Sequence, residues 1–139
     1  MKKKSKLNLN PNEMAFRKIY WPMLQQEKIF TVFRPDSRMC GEHKGYCEGQ
    51  KVQARIIDKV GTDWAGIPPK FSGKFFKNII IKKIEIRKIK QLVRRDFKGS
   101  TPDIYDKNSL IYHLGVVYNL SPEEINLESV VTKISFRYL

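Results

Sequence analysis

Lys28 and Thr31 stand three residues apart at the entry to an apolar, β-branched run from Ile29 to Arg34. A lysine beside a threonine hydroxyl in a half-buried cleft can lose its proton through desolvation and act as a base toward that hydroxyl. Binding asks less of the same segment. Lys28, Arg34 and Arg38 suit phosphate oxygens, and Thr31 suits a base or sugar. Further along, Tyr46, Trp64, Phe71, Phe75 and Phe76 interleave with Lys70, Lys74 and Lys77, a mixture that serves proteins stacking unpaired bases. Aromatics in such segments also plug barrel ends, so only one or two are expected to stack. The plain structural alternative makes Thr31 a strand residue and Lys28 a surface lysine.

Cys40, His43 and Cys47 offer three zinc-ligand types with no clear fourth, unless Glu42 or His113 joins. Structural zinc sites close with four ligands, so two incidental cysteines and no metal are expected. Two cysteines are too few for a disulfide scaffold, which fits a reducing compartment and a cytoplasmic location. There is no glycine-rich phosphate loop and no Ser-His-Asp set, and no pattern implies a cofactor.

The chain has 139 residues, enough for one domain with a real core, and carries a net charge of +13. That charge is clustered. Residues 1–18 hold a net +5, residues 70–98 hold eleven basic side chains against Glu85 and Asp96, and the remainder is nearly neutral. One-sided clustering of this kind attracts phosphate backbones by releasing condensed counterions. No apolar run approaches the ~18 residues of a membrane span. The Met-Lys-Lys-Lys start has no apolar stretch behind it, so a secretory signal is not expected.

The positioning elements follow from periodicity. Residues 1–11 read as a flexible basic tail and residues 12–139 as a single domain. The spacing of Met14, Ile19, Trp21 and Leu24 predicts helix between Asn12 and Lys28, with Pro22 at the first position of a second short helix. Ile29 to Arg34, Lys51 to Val60, Asn78 to Lys90 and Val130 to Tyr138 read as strands. The third slips its alternation at Ile89, suggesting a bulge or a bend, while Lys83, Glu85 and Arg87 share its outward face. Gly61 to Phe76 reads as a long loop. Asp106 or Ser109 caps an amphipathic helix to about Tyr118, with Asn119 after it. This order lacks a βαβ rhythm. It predicts an α+β fold built on a small mixed or antiparallel barrel.

A helix leading into Lys28 to Arg34, the Glu48-Gly49-Gln50-Lys51-Val52 turn, the Asp96-Phe97 segment and a last strand ending in Ile134-Ser135-Phe136 resemble the ASCH domain of the PUA-like superfamily. That family shows a lysine, a threonine three residues on and an arginine just beyond, then a Gly-Asp turn into a strand. Lys28 and Thr31 match the spacing, Arg34 comes one residue late, and Gln50 replaces the aspartate. The resemblance covers about residues 20–138. It implies a PUA-like β-barrel flanked by helices, an RNA-associated role, and a cleft beside Lys28 and Thr31. One branch of the family hydrolyses the acetyl amide of acetylcytidine, and its acid aligns approximately with Asp103, which is one methylene shorter than the glutamate found there. The resemblance therefore assigns Lys28, Thr31 and Asp103 as a possible hydrolytic set.

The reading taken forward is a domain binding RNA or a nucleotide-containing ligand. Its contact residues are Lys28, Arg34, Arg38, Lys70, Lys74, Lys77, Lys83 and Arg87. The alternatives are an amidohydrolase acting on acetylated cytidine, and a basic protein-interaction module.

Overall fold

The computed structural model describes residues 12–42, 45–59 and 70–139, with only the backbone for 58–59 and 70–76. The basic tail, His43 and Trp64 lie outside the described residues. Five strands form one mixed sheet: β1 (Glu13–Arg17), β2 (Thr31–Pro35), β3 (Lys51–Lys59), β4 (Lys70–Lys88) and β5 (Val130–Tyr138). Their spatial order is β1-β3-β4-β5-β2, with β1 parallel to β3 and the other neighbours antiparallel. Backbone pairing leaves this sheet open, so the expected closed barrel is not formed by the ladder itself.

Alternation explains most of the strands. In β3, Val52, Ala54 and Ile56 are buried, and in β5, Ile134 and Phe136 are. Against β5, β4 has a register shift between Ile81 and Lys83. That shift lets Ile84 join Ile79 and Ile81 in the core and leaves both Lys82 and Lys83 exposed. Of the bulge or bend expected at Ile89, the structure has the bend: β4 ends at Lys88 and Ile89–Gln91 turns as a 3-10 segment.

Two further expectations are corrected. Residues 13–17 form β1, not helix, because Met14 and Phe16 alternate with Glu13, Ala15 and Arg17 and pair with Ala54 and Ile56 of β3. Helix begins after it, with a 3-10 turn at Lys18–Tyr20 running into α1 (Trp21–Gln25), which carries Pro22 in its first turn. Lys70 to Phe76 belongs to β4 and not to a loop, held by pairing of Lys70, Phe71 and Phe76 with β3.

The β2–β5 pair separates two apolar clusters. Val32, Ile134 and Phe136 face one that also takes Met14, Leu24, Ile56 and Ile79. Phe33 and Val131 face the other, where Leu110 and Leu114 of α2 (Lys107–Tyr118) pack with Ile89 and Leu92. Asp106 caps α2 by accepting from the Ser109 N–H at 2.7 Å, and Asn119 ends it in a left-handed conformation at φ 55°.

Cys40 and Cys47 are not incidental thiols but a disulfide, their Cα atoms 4.4 Å apart in the β2–β3 connection. Among the described residues no group of three or more His, Cys, Asp and Glu is placed to hold a metal. Glu42 accepts from Ser37 and from the Met39 N–H instead. Thiol titration of denatured, unreduced protein is expected to find no free thiol. Replacing both cysteines by serine is expected to lower stability by about 2 kcal/mol, the entropy of so short a closed loop. Two titratable thiols in air-handled protein would contradict the bridge.

Candidate functional site

Because β1 and β2 are the two sheet edges, the chemistry of their facing rims is free of ladder pairing. Side chains join these rims. Arg34, on β2, donates through Nη2 to the Ala15 carbonyl of β1 at 3.3 Å and through Nη1 to the Phe33 carbonyl at 3.2 Å. The buried Tyr46 donates to the Glu13 carbonyl at 2.5 Å. Tyr46 is therefore a plug between the edges, not a free stacking platform.

Arg38 lies beside them. Its Nε donates to the Pro35 carbonyl at 3.1 Å, its backbone N–H to Thr132 Oγ1 at 2.8 Å, and its guanidinium sits 5.6 Å from the Tyr118 ring centre. Burial pulls the Arg38 pKa down, with Arg34 adding to that, against the opposing influence of Tyr118, Asp36 and Tyr46. Arg17, Arg34 and Arg38 are all half-buried, and none forms an ion pair among the described residues.

A second polar group lies within electrostatic reach of Arg17 and Arg34. Tyr20 donates to Asp103 Oδ2 at 2.5 Å, and His113 Nδ1 lies 3.1 Å from that oxygen. Burial, then Asp103, pushes the Tyr20 pKa up to about 12. Burial lowers the pKa of His113 against the pull of Asp103, and the nearby charges of Arg17 and Arg34 add to the effect. Near neutral pH the imidazole is therefore uncharged. Its contact with a carboxylate assigns the proton to Nδ1 and leaves Nε2 an acceptor. Burial would raise the Asp103 pKa, but the hydroxyls of Thr101 and Tyr20 and the charge of His113 hold it below the usual aspartate range. Thr101 is only 8% exposed, and its Oγ1 favours the carboxylate by proximity while meeting no partner at hydrogen-bond geometry.

The residues expected from sequence are distributed unevenly around this cleft. Thr31 is buried and donates through Oγ1 to the Lys98 carbonyl at 2.9 Å, while Lys28 is exposed in the turn before β2. Neither is a hydrogen-bond partner of Asp103. Gly99, in a left-handed conformation at φ 79°, accepts from the N–H groups of Phe30 and Thr31, and an added Cβ would meet the Phe30 ring. Lys77 pairs with Glu27 at 3.0 Å, and Arg87 with Glu85 at 2.6 Å, with Lys83 3.9 Å from the same carboxylate. The side chains of Lys70, Lys74, Phe71, Phe75 and Phe76 lie outside the described residues. Arg17, Tyr20, Thr101 and the Asp103–His113 contact were not among the site residues read from sequence. They are scattered across the chain, and no local spacing links them.

A groove of about 550 Å³ near the start of α2 is lined by Val93, Tyr105 and Leu127 among others, but by none of these cleft side chains. Two of its polar members are already engaged, Asp106 as the cap and Lys107 on the Lys90 carbonyl. The chemistry is concentrated at the β1–β2 rims.

Fold and site together define an α+β domain with an open mixed sheet whose two edge strands are bridged by polar side chains. No protein-family model matches the chain, and no curated protein does. Among solved structures it is similar to protein EF3133 from Enterococcus faecalis V583, described under the family DUF984. The TM-score is 0.55 at 12% identity, over 85% of this chain and 68% of that one, a likeness of fold. No helix among the described residues is long and apolar enough to cross a membrane.

Proposed function

We propose that this chain is an ASCH-type, PUA-like domain that binds RNA or a nucleotide-containing ligand in the cleft between β1 and β2. The observation carrying this reading is the trio of half-buried arginines, Arg17, Arg34 and Arg38, without an ion-pair partner among the described residues. Partly buried charge is unfavourable unless an anion answers it, and a phosphate would. The cleft also has polarity. Arg34 and Arg38 lie near one another, while Asp103 adds an ionised carboxylate elsewhere in it. A ligand suited to both needs an anionic part and a part rich in N–H donors, which is the make-up of a nucleotide. The cationic strand face contributes less in this reading, because Glu85 already answers Arg87 and Lys83.

Fluorescence anisotropy with a single-stranded RNA oligonucleotide tests the proposal. Affinity is expected to fall steeply between 50 and 200 mM salt, with a log–log slope of about −0.7 per phosphate contact. Absence of binding at the lower salt would sink it. Protein partners that survive nuclease treatment of a pull-down would favour the interaction module instead. Turnover of acetylated cytidine, lost in Thr31→Ala but kept in Arg34→Ala, would establish the amidohydrolase. The engaged hydroxyl of Thr31 and the exposure of Lys28 favour the binder.

A further inference from the structure

We propose that the groove at the start of α2 docks an acidic peptide segment of a partner protein through one bulky apolar side chain. This goes beyond the nucleotide-binding reading and does not depend on it. The floor of the groove is apolar: Leu92 and Phe97 are buried there and belong to the cluster under α2. Its rim is apolar as well, with Val93, Leu127 and Tyr105 50%, 45% and 67% exposed. Apolar side chains left open around a hollow mark a place where a partner is received. The volume of about 550 Å³ lies within the ~300–1,000 Å³ that ligand sites occupy.

The walls are fixed by their own backbone bonds. The Val93 N–H donates to Asp96 Oδ2 at 2.7 Å, and Lys133 holds Asp96 in turn at 2.9 Å. The Leu127 carbonyl accepts from the Lys90 N–H at 3.0 Å, and the Tyr105 N–H donates to Ser109 Oγ at 2.9 Å. Three separate segments thus present their side chains from anchored backbone, which leaves little to be ordered on binding.

Charge names the occupant. Arg94 lines the groove, and Arg95 and Lys98 stand exposed in and just after the same 3-10 turn, Arg94–Phe97. None of the three forms an ion pair among the described residues. The one acid of the lining, Asp106, is occupied in capping α2. The complement is a chain whose carboxylates flank an apolar side chain, and clustered arginines commonly read acidic motifs. An unpaired base suits the groove less well. Its edge carries donors and acceptors that the side chains of Leu92, Val93, Phe97 and Leu127 cannot answer, and burying polar atoms unpaired is costly.

Fluorescence anisotropy of the full chain with labelled peptides tests this. The probes are an equimolar pool of Glu-Asp-X-Glu-Asp peptides with Leu, Met, Phe or Trp at X, the same frame with Ser at X, and the apolar pool with Gln and Asn replacing the acids. The apolar acidic pool is expected to bind at least about 10-fold tighter than the serine peptide, the worth of burying one such side chain. It is expected to bind at least about 3-fold tighter than the neutral pool, as exposed ion pairs allow. Val93→Asp is expected to weaken the acidic pool about 10-fold with no change in melting temperature, because that side chain is half-exposed on the rim. Arg94→Glu is expected to reverse the charge preference, weakening the acidic pool and favouring one with Lys in place of the acids. Lys82→Glu, exposed on β4 outside the groove, is expected to leave all of this unchanged. Equal binding of the apolar and serine peptides, equal loss in Lys82→Glu, or no binding up to about 1 mM peptide overturns the proposal. So does a fall of RNA affinity in Val93→Asp while no peptide binds, which would assign the groove to nucleic acid.

Discussion

Replacing Arg34 and Arg38 together by alanine is expected to weaken RNA binding by about 100-fold, because each charge-assisted contact is worth about 1.5 kcal/mol or more. Replacing Lys83 and Arg87 together should weaken it by less than about 10-fold, since Glu85 already holds Arg87 at 2.6 Å. The comparison uses the same RNA, salt and temperature for both variants. Arg34 also bridges to the Ala15 carbonyl, so part of its loss could act through the edges of the sheet. Arg34→Lys separates these effects: it keeps a charge but lacks the planar fork, and affinity between that of wild type and alanine is expected. If the strand-face variant loses more affinity than the double arginine variant, the contact surface is β4 and the cleft reading is wrong.

Lys133→Ala is expected to destabilise the fold by about 3 kcal/mol, the lower end of what breaking a buried pair does. The Lys133 ammonium lies 2.9 Å from Asp96 Oδ1, with side chains only 14% and 7% exposed, so removing it strands a carboxylate inside the protein. For a chain of this size the melting temperature should fall by about 10 °C. Burial opposes ionisation of Asp96, but the Val93 N–H, the Lys133 contact and the charge of Arg87 hold its pKa below the usual range. A depressed folded-state pKa stabilises above the unfolded value of about 4 and loses that contribution as pH falls through the folded one. Wild-type melting should therefore decline on acidification below about pH 4, and in Lys133→Ala the decline should begin at higher pH. Joint replacement by Asp96→Leu and Lys133→Met should recover most of the stability. An unchanged melting temperature in Lys133→Ala would show the pair to be solvated.

How much was legible depended on whether the deciding contact was local. β5 could be read because Ile134, Phe136 and Tyr138 alternate with Lys133, Ser135 and Arg137, and α2 because Asp106 and Asn119 mark its ends chemically. β1 could not. Five residues of alternation compete with the helical spacing of Met14, Ile19, Trp21 and Leu24, and only the distant β3 settles the matter. The first part of β4 is similar, since Ser72-Gly73 reads as a turn until β3 supplies its partner. At the site, Arg34 and Arg38 were visible as cations near a strand end. Tyr20 and Asp103 stand 83 residues apart, so nothing short of the topology joins them. The disulfide escaped because a pair of cysteines in a polar loop looks the same bonded or free until the loop's path is known.

Arg38 precedes the Cys40–Cys47 bridge and Tyr46 lies within its span, and the Tyr46 N–H donates to the Arg38 carbonyl at 3.3 Å. The backbone carrying one cation and one aromatic plug of the cleft is thus ordered when the protein folds. Little rotamer or loop entropy remains to be lost there on association. Under the binding function proposed above, a ligand arriving at this rim would meet the Arg38 and Tyr46 backbone already in place, and encounter would be a docking event.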